Sequence, residues 1–169
     1  MGAEDTKFPV RVFGLERSGT NLMEWVVINH FDPDYRRIEV FGDHPAMRYY
    51  GQPQSLKHTL PTKAYSDVNI VIYKPFKQWK ESWDKYYNIK GEYRLGGRKG
   101  CTREVLKMYL DKAEQIGAYI VEYDSFIYNY EHHVRAIANL LGVELSEVKP
   151  LPNTKMGTNM EPSNRIFKG

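Results

Sequence analysis

The residues with the plainest chemical meaning lie close together near the start of the chain, in Gly14-Leu15-Glu16-Arg17-Ser18-Gly19-Thr20-Asn21. Two glycines separated by four residues have the spacing of a loop that curls its backbone N–H groups around a phosphate. A helix beginning just after them adds the partial positive charge of its N-terminus. A nucleotide-hydrolysing loop of this type places Lys and then Ser or Thr after the second glycine, whereas Thr20 and Asn21 stand there. The side chain that would reach the β- and γ-phosphates and the hydroxyl that would hold Mg²⁺ are therefore not both available. Arg17 brings a cation from within the loop instead. The expectation is an anion held at Arg17, Ser18, Gly19, Thr20 and Asn21 without a metal ion.

Such a loop needs a strand before it and a helix after it. Residues 8–15 are β-branched and aromatic and read as a strand. Residues 21–31, apolar nearly all round, read as a helix buried against a sheet, stopped by Asp32-Pro33-Asp34. Residues 68–73 form the clearest strand. Residues 76–87 follow with Phe76, Trp79, Trp83, Tyr86 and Tyr87 at helical spacing. Thr102 is placed to cap a helix running to Gln115 and ended by Gly117. A strand over 118–123 and a helix over 130–141, closing at Gly142, complete the pattern, with possible short strands at 37–41 and 55–60. Strands separated by helices predict an α/β, three-layer αβα domain with a mostly parallel central sheet, whose ligands bind beyond the carboxyl ends of the strands. One domain over 1–169 is expected, with 1–7 disordered, 88–100 a mobile loop and 150–169 an irregular tail.

Arg17-Ser18-Gly19-Thr20-Asn21 resembles the 5′-phosphosulfate-binding loop of the sulfotransferases that use 3′-phosphoadenosine 5′-phosphosulfate (PAPS) and release 3′-phosphoadenosine 5′-phosphate (PAP). Their pattern is Lys/Arg-Ser-Gly-Thr followed by a helix, and they need no metal ion. A second segment, Lys74-Pro75-Phe76-Lys77-Gln78-Trp79-Lys80-Glu81-Ser82, is similar to the family's 3′-phosphate-binding stretch, in which an Arg after a strand and a Ser eight residues later grip the phosphate. Lys74 replaces the Arg, a point charge instead of a bidentate fork, and Pro75 comes one residue early. A third echo runs from Val121-Glu122-Tyr123-Asp124 to Leu140-Leu141-Gly142-Val143 and would bring Tyr123 near the adenine.

The resemblance implies a compact PAPS-dependent sulfotransferase with a P-loop-containing nucleotide-hydrolase-like fold. Its reaction is in-line sulfuryl transfer to a hydroxyl or amine of an acceptor that the sequence does not identify. It also implies a base and an assisting lysine in Ser55-Leu56-Lys57-His58-Thr59-Leu60-Pro61, which is similar to the family's Lys-Thr-His-Leu-Pro. Lys57 aligns, while His58 falls one residue early, which on a strand reverses the side chain's direction. His58 is the expected base, with Arg17 and Lys57 assisting; His44, Glu16 and Glu24 remain alternatives. Lys155-Met156-Gly157 stands where the family has a further Arg-Lys-Gly phosphate contact. Arg98-Lys99-Gly100 spells that motif out of order, and 88–100 is expected to form a lid or face the acceptor. His132 and His133 are expected to face solvent or a partner.

Composition narrows the alternatives. A chain of 169 residues with 41% hydrophobic and 27% charged residues can build a packed core. Its 24 Lys and Arg against 21 Asp and Glu leave +3, too mild to indicate a nucleic-acid surface. The excess is local: residues 74–112 hold 11 basic and 5 acidic side chains, as for an anionic ligand at one place. A single cysteine, Cys101, excludes an internal disulfide and a cysteine-built zinc site. No apolar run approaches the roughly 20 residues of a membrane span, and the first residues lack a signal-peptide core, so a cytoplasmic protein without membrane contact is expected. Gly2 and Thr6 match the loose myristoylation pattern. The competing readings are a small P-loop kinase, opposed by Thr20 at the lysine position, and a non-catalytic nucleotide- or nucleic-acid-binding protein using the basic aromatic segment.

Overall fold

The computed structural model describes residues 8–33, 35, 39–40, 54–55, 60–61, 64, 66–90 and 101–152. Three strands, β1 (Phe8–Phe13), β4 (Ser66–Tyr73) and β5 (Tyr119–Glu122), form a parallel sheet in the order β1-β4-β5. Val10 lies opposite Val68, and Ile72 opposite Val121. β4 is the central strand and is buried continuously from Val68 to Ile72, as expected of a parallel strand covered on both faces. A separate antiparallel pair joins β2 (Glu39–Val40) to β3 (Gln54–Ser55).

The alternation of side chains divides the core in two. Val10, Val12, Ile70, Ile72 and Val121 meet Met23, Val26 and Val27 of α1 (Thr20–His30) and Val134 and Ile137 of α5 (Tyr130–Leu141). Phe13 and Val71 point the other way, toward Trp79 and Trp83 of α2 (Phe76–Lys90) and Leu106, Tyr109 and Ala113 of α3 (Arg103–Gln115). The chain is thus α/β, with helices on both faces of a small parallel sheet. A short helix, α4 (Tyr123–Tyr128), follows β5 directly.

Helix boundaries follow local chemistry. The Thr102 side chain accepts a hydrogen bond from the Val105 N–H at 3.1 Å and caps α3, and Gly142 ends α5, both as expected. Two expectations are corrected. Residues 88–90 continue α2 by a further turn and are not part of a loop, because no glycine occurs before Gly91 to interrupt the helical stripe. Tyr123 does not end β5 but opens α4, a helix that periodicity did not reveal because it spans less than two turns. Residues 1–7, 91–100 and 153–169, expected as disordered, mobile or irregular, lie outside the described residues. Among the described residues no helix is long and apolar enough to cross a membrane.

Candidate functional site

Because β1, β4 and β5 are parallel and adjacent, the segments leaving their carboxyl ends gather at one end of the sheet. These are the loop 14–19, Lys74-Pro75, and the start of α4. The first is tightly packed. The Ser18 N–H donates to the Leu15 carbonyl at 3.2 Å, and Met23 closes the first helical turn on the Gly19 carbonyl. Two residues in this turn have left-handed backbone, Arg17 (φ 68°) and Gly19 (φ 100°). Left-handed backbone is unusual for arginine and turns successive N–H groups inward, as in anion-binding nests. Ser18 and Thr20 are buried, while Arg17, Gly19 and Asn21 remain half-exposed. The partly exposed surface of this segment is therefore made by Glu16, an alternative base, together with Arg17, Gly19 and Asn21.

Cations meet aromatic rings around the loop. The Arg17 guanidinium lies 4.6 Å from the centre of the Tyr86 ring, and the Lys74 ammonium lies 4.6 Å from that of Tyr123. The Tyr123 ring also packs against Gly19, where a Cβ would collide with its Cδ2 and Cε2 atoms. Gly14 is confined in the same way: a Cβ there would stand 2.5 Å from Thr20 Cγ2 and 2.9 Å from the Ile72 carbonyl oxygen. Burial pushes the Lys74 ammonium down to about 8, the nearby Arg17 charge pushes it the same way, and Asp124 acts in the opposite sense. Two like charges held close together in a partly desolvated place are what an anion relieves.

The helices behind the loop fix it. The Trp79 indole Nε1 donates to the Glu16 carbonyl at 2.7 Å. The buried Tyr109 hydroxyl is bonded to the Gly14 backbone, and its burial raises its pKa well above the ordinary range. Gln78 Nε2 donates to Asp124 Oδ1 at 3.1 Å and links α2 to α4. Ser82 falls three residues after Trp79 and four before Tyr86, so it shares the face of α2 that meets the loop. Tyr86, Trp79 and Tyr109 were not foreseen as parts of the site. For Trp79 and Tyr86 the only signal was the aromatic stripe of α2, which says that a face is covered and not by what; Tyr109, on α3, carried no such signal.

Of the expected site residues, Arg17, Ser18, Gly19, Thr20, Asn21, Lys74 and Tyr123 gather at this end of the sheet, with Ser82 on the adjoining helix face. Lys57, His58, His44 and Lys155 lie outside the described residues. One other expectation changes. Glu24, an alternative base, is 1% exposed and lies within electrostatic range of the buried Tyr35 hydroxyl, together with Arg11 and Asp32. It belongs to the interior beside β1 because α1 turns that side toward the sheet. The histidine pair is as expected: His132 is exposed, and His133 faces partners, with Nδ1 2.7 Å from the Tyr119 hydroxyl and Nε2 3.2 Å from Ser125 Oγ. Among the described residues no three His, Cys, Asp or Glu side chains converge as a metal site. No family model matches the chain, and neither a curated protein nor a solved structure does.

Proposed function

We propose that this chain is an enzyme, a compact sulfotransferase that takes PAPS as donor and transfers its sulfuryl group to a hydroxyl or amine of an acceptor without a metal ion. The convergence of Arg17 and Lys74, from loops far apart in sequence, beside Gly19 and Tyr123 carries this reading. Two cations and a curled, glycine-flanked backbone fit the phosphate and sulfate groups of such a donor. The parallel sheet with helices on both faces supports a three-layer, P-loop-containing nucleotide-hydrolase-like arrangement. The absence of a lysine after Gly19 favours it over a magnesium-dependent kinase.

When bound, PAPS supplies a sulfuryl group already activated by a phosphate leaving group. The chain's own residues then have separable tasks. Arg17 and the backbone at Gly19 and the start of α1 bind the 5′ side and absorb the negative charge that grows on the departing oxygen. Lys74 and Ser82 hold the 3′-phosphate, with Lys155 as a further contact, and Tyr123 borders the adenine side. His58 accepts the acceptor's proton, assisted by Lys57, since an imidazole titrates near neutrality.

Thermal unfolding with PAP, with ATP and Mg²⁺, and with an oligonucleotide tests this reading. Selective stabilisation by PAP is expected; at a hundredfold excess over Kd it amounts to about 2.7 kcal/mol. Arg17→Ala should abolish that stabilisation, and His58→Ala should keep it while lowering turnover by about 10²–10⁴-fold. Stabilisation by ATP and Mg²⁺ alone would favour a P-loop kinase, and by the oligonucleotide alone a nucleic-acid binder.

A further inference from the structure

The aromatic stripe of α2 does not bury all of itself. Phe76, the first residue of α2, stays half-exposed and borders a groove of about 330 Å³ against α3. That volume lies at the lower end of small-molecule sites, about 300–1,000 Å³. Leu106 and Leu110 give the groove its apolar lining, and Arg103, Lys107 and Asp111, all exposed, stand along it. These positions of α3 fall at i, i+3, i+4, i+7 and i+8 and so follow one helix face, which runs about 10 Å from Arg103 to Leu110. Lys107 and Asp111 neutralise each other, with Nζ 3.0 Å from Oδ2. Arg103 is held differently: its guanidinium lies 4.4 Å from the centre of the Phe76 ring. The ring attracts the positive charge but offers no oxygen to the five N–H donors. Among the described residues no carboxylate pairs with Arg103. As the first residue of α3 it also meets the positive end of the helix dipole, so the stability of α3 does not explain its place.

We propose that this groove binds a small apolar monocarboxylate, with its carboxylate on the Arg103 guanidinium and its hydrocarbon body along Leu106 and Leu110 beside the Phe76 ring. The match is one of charge and length. Arg103 is the one unbalanced charge on the groove, and its planar fork suits a carboxylate. Asp111, toward the other end, repels a second negative charge, which disfavours a polyanion such as PAPS here. The apolar stretch between the two ends fits an arylalkyl chain. The groove shares no lining residue with the phosphate contacts at Arg17 and Lys74, so the ligand is a second one, and the proposal does not depend on the donor reading.

Titration with 4-phenylbutanoate, followed by NMR at the methyl groups of Leu106 and Leu110, tests the proposal. Those signals should move saturably, with a Kd on the order of 1 mM for so small a ligand. The uncharged 4-phenylbutanamide should bind about fivefold more weakly. In Arg103→Gln, a change at an exposed position, acid and amide should bind alike. Equal affinity of the two compounds for the wild type would overturn the proposal, and so would a preference for the acid that persists in Arg103→Gln. Shifts confined to the Arg17 loop would overturn it too. Movement of the same methyl signals on dilution, with no response to the probe, would give the groove to a second copy of the chain and likewise overturn it. PAP binding is read separately at the Gly19 amide, so failure of the anion site and failure of this groove are distinguishable.

Discussion

At the scale of single residues, the site depends on backbone that ordinary side chains resist. Gly19 combines a left-handed φ of 100° with direct contact to Tyr123, whereas Gly117 has a comparable φ of 71° but open space around it. Gly19→Ala and Gly117→Ala therefore share a backbone cost of about 1–2 kcal/mol, and only the former also displaces the ring beneath Lys74. Urea denaturation should find Gly19→Ala the less stable of the two, and PAP titration should find it alone impaired. The loop itself was legible because glycine spacing and an internal cation are local features. The partners of its charges were not: Arg17 on Tyr86 and Lys74 on Tyr123 join residues 69 and 49 positions apart, and nothing in either segment names the other.

At the scale of elements, α2 acts as a brace for the loop. Its stripe of Trp79, Trp83 and Tyr86 was evident from helical spacing, but the same stripe would suit any apolar neighbour. The particular contact is the indole N–H of Trp79 on the Glu16 carbonyl. Trp79→Phe retains an aromatic ring and leaves that carbonyl without its donor, which costs about 1–3 kcal/mol. Global unfolding should shift by that amount, and PAP affinity should fall because the turn carrying Arg17 loses its anchor. A stable Trp79→Phe protein with undiminished PAP affinity would show that the loop holds its shape without the helix. α3 was more legible, since Thr102 and Gly117 mark both its ends by local chemistry.

At the scale of the whole molecule, two histidines tie separate elements together in their neutral form. His30 Nε2 accepts the Lys149 N–H at 2.9 Å, while Nδ1 meets the Val26 carbonyl at 2.9 Å, so the proton resides on Nδ1. His133 bridges β5 and α4 through Tyr119 and Ser125. Burial lowers both below their ordinary 6.5. The unfolded chain then binds more protons than the native one as pH drops below 6.5, and the stability present above that value is lost toward the lower native values. Urea midpoints should fall between pH 7.5 and 5.5, and His30→Gln and His133→Gln should each flatten that dependence. A slope unchanged in both variants would assign the acid sensitivity to other groups.

By itself the sequence determined the alternation of strands and helices, the caps, and one glycine-flanked turn with a cation inside it, because propensity, capping and glycine spacing act over a few residues. The tertiary structure decided which strands are neighbours. β1 pairs with β4 across more than fifty intervening residues, and β4 with β5 across a comparable stretch. That order is set by which apolar faces bury each other best, a property of the assembled core that no single segment contains. It brings the Arg17 loop, Lys74 and Tyr123 together at one end of the sheet.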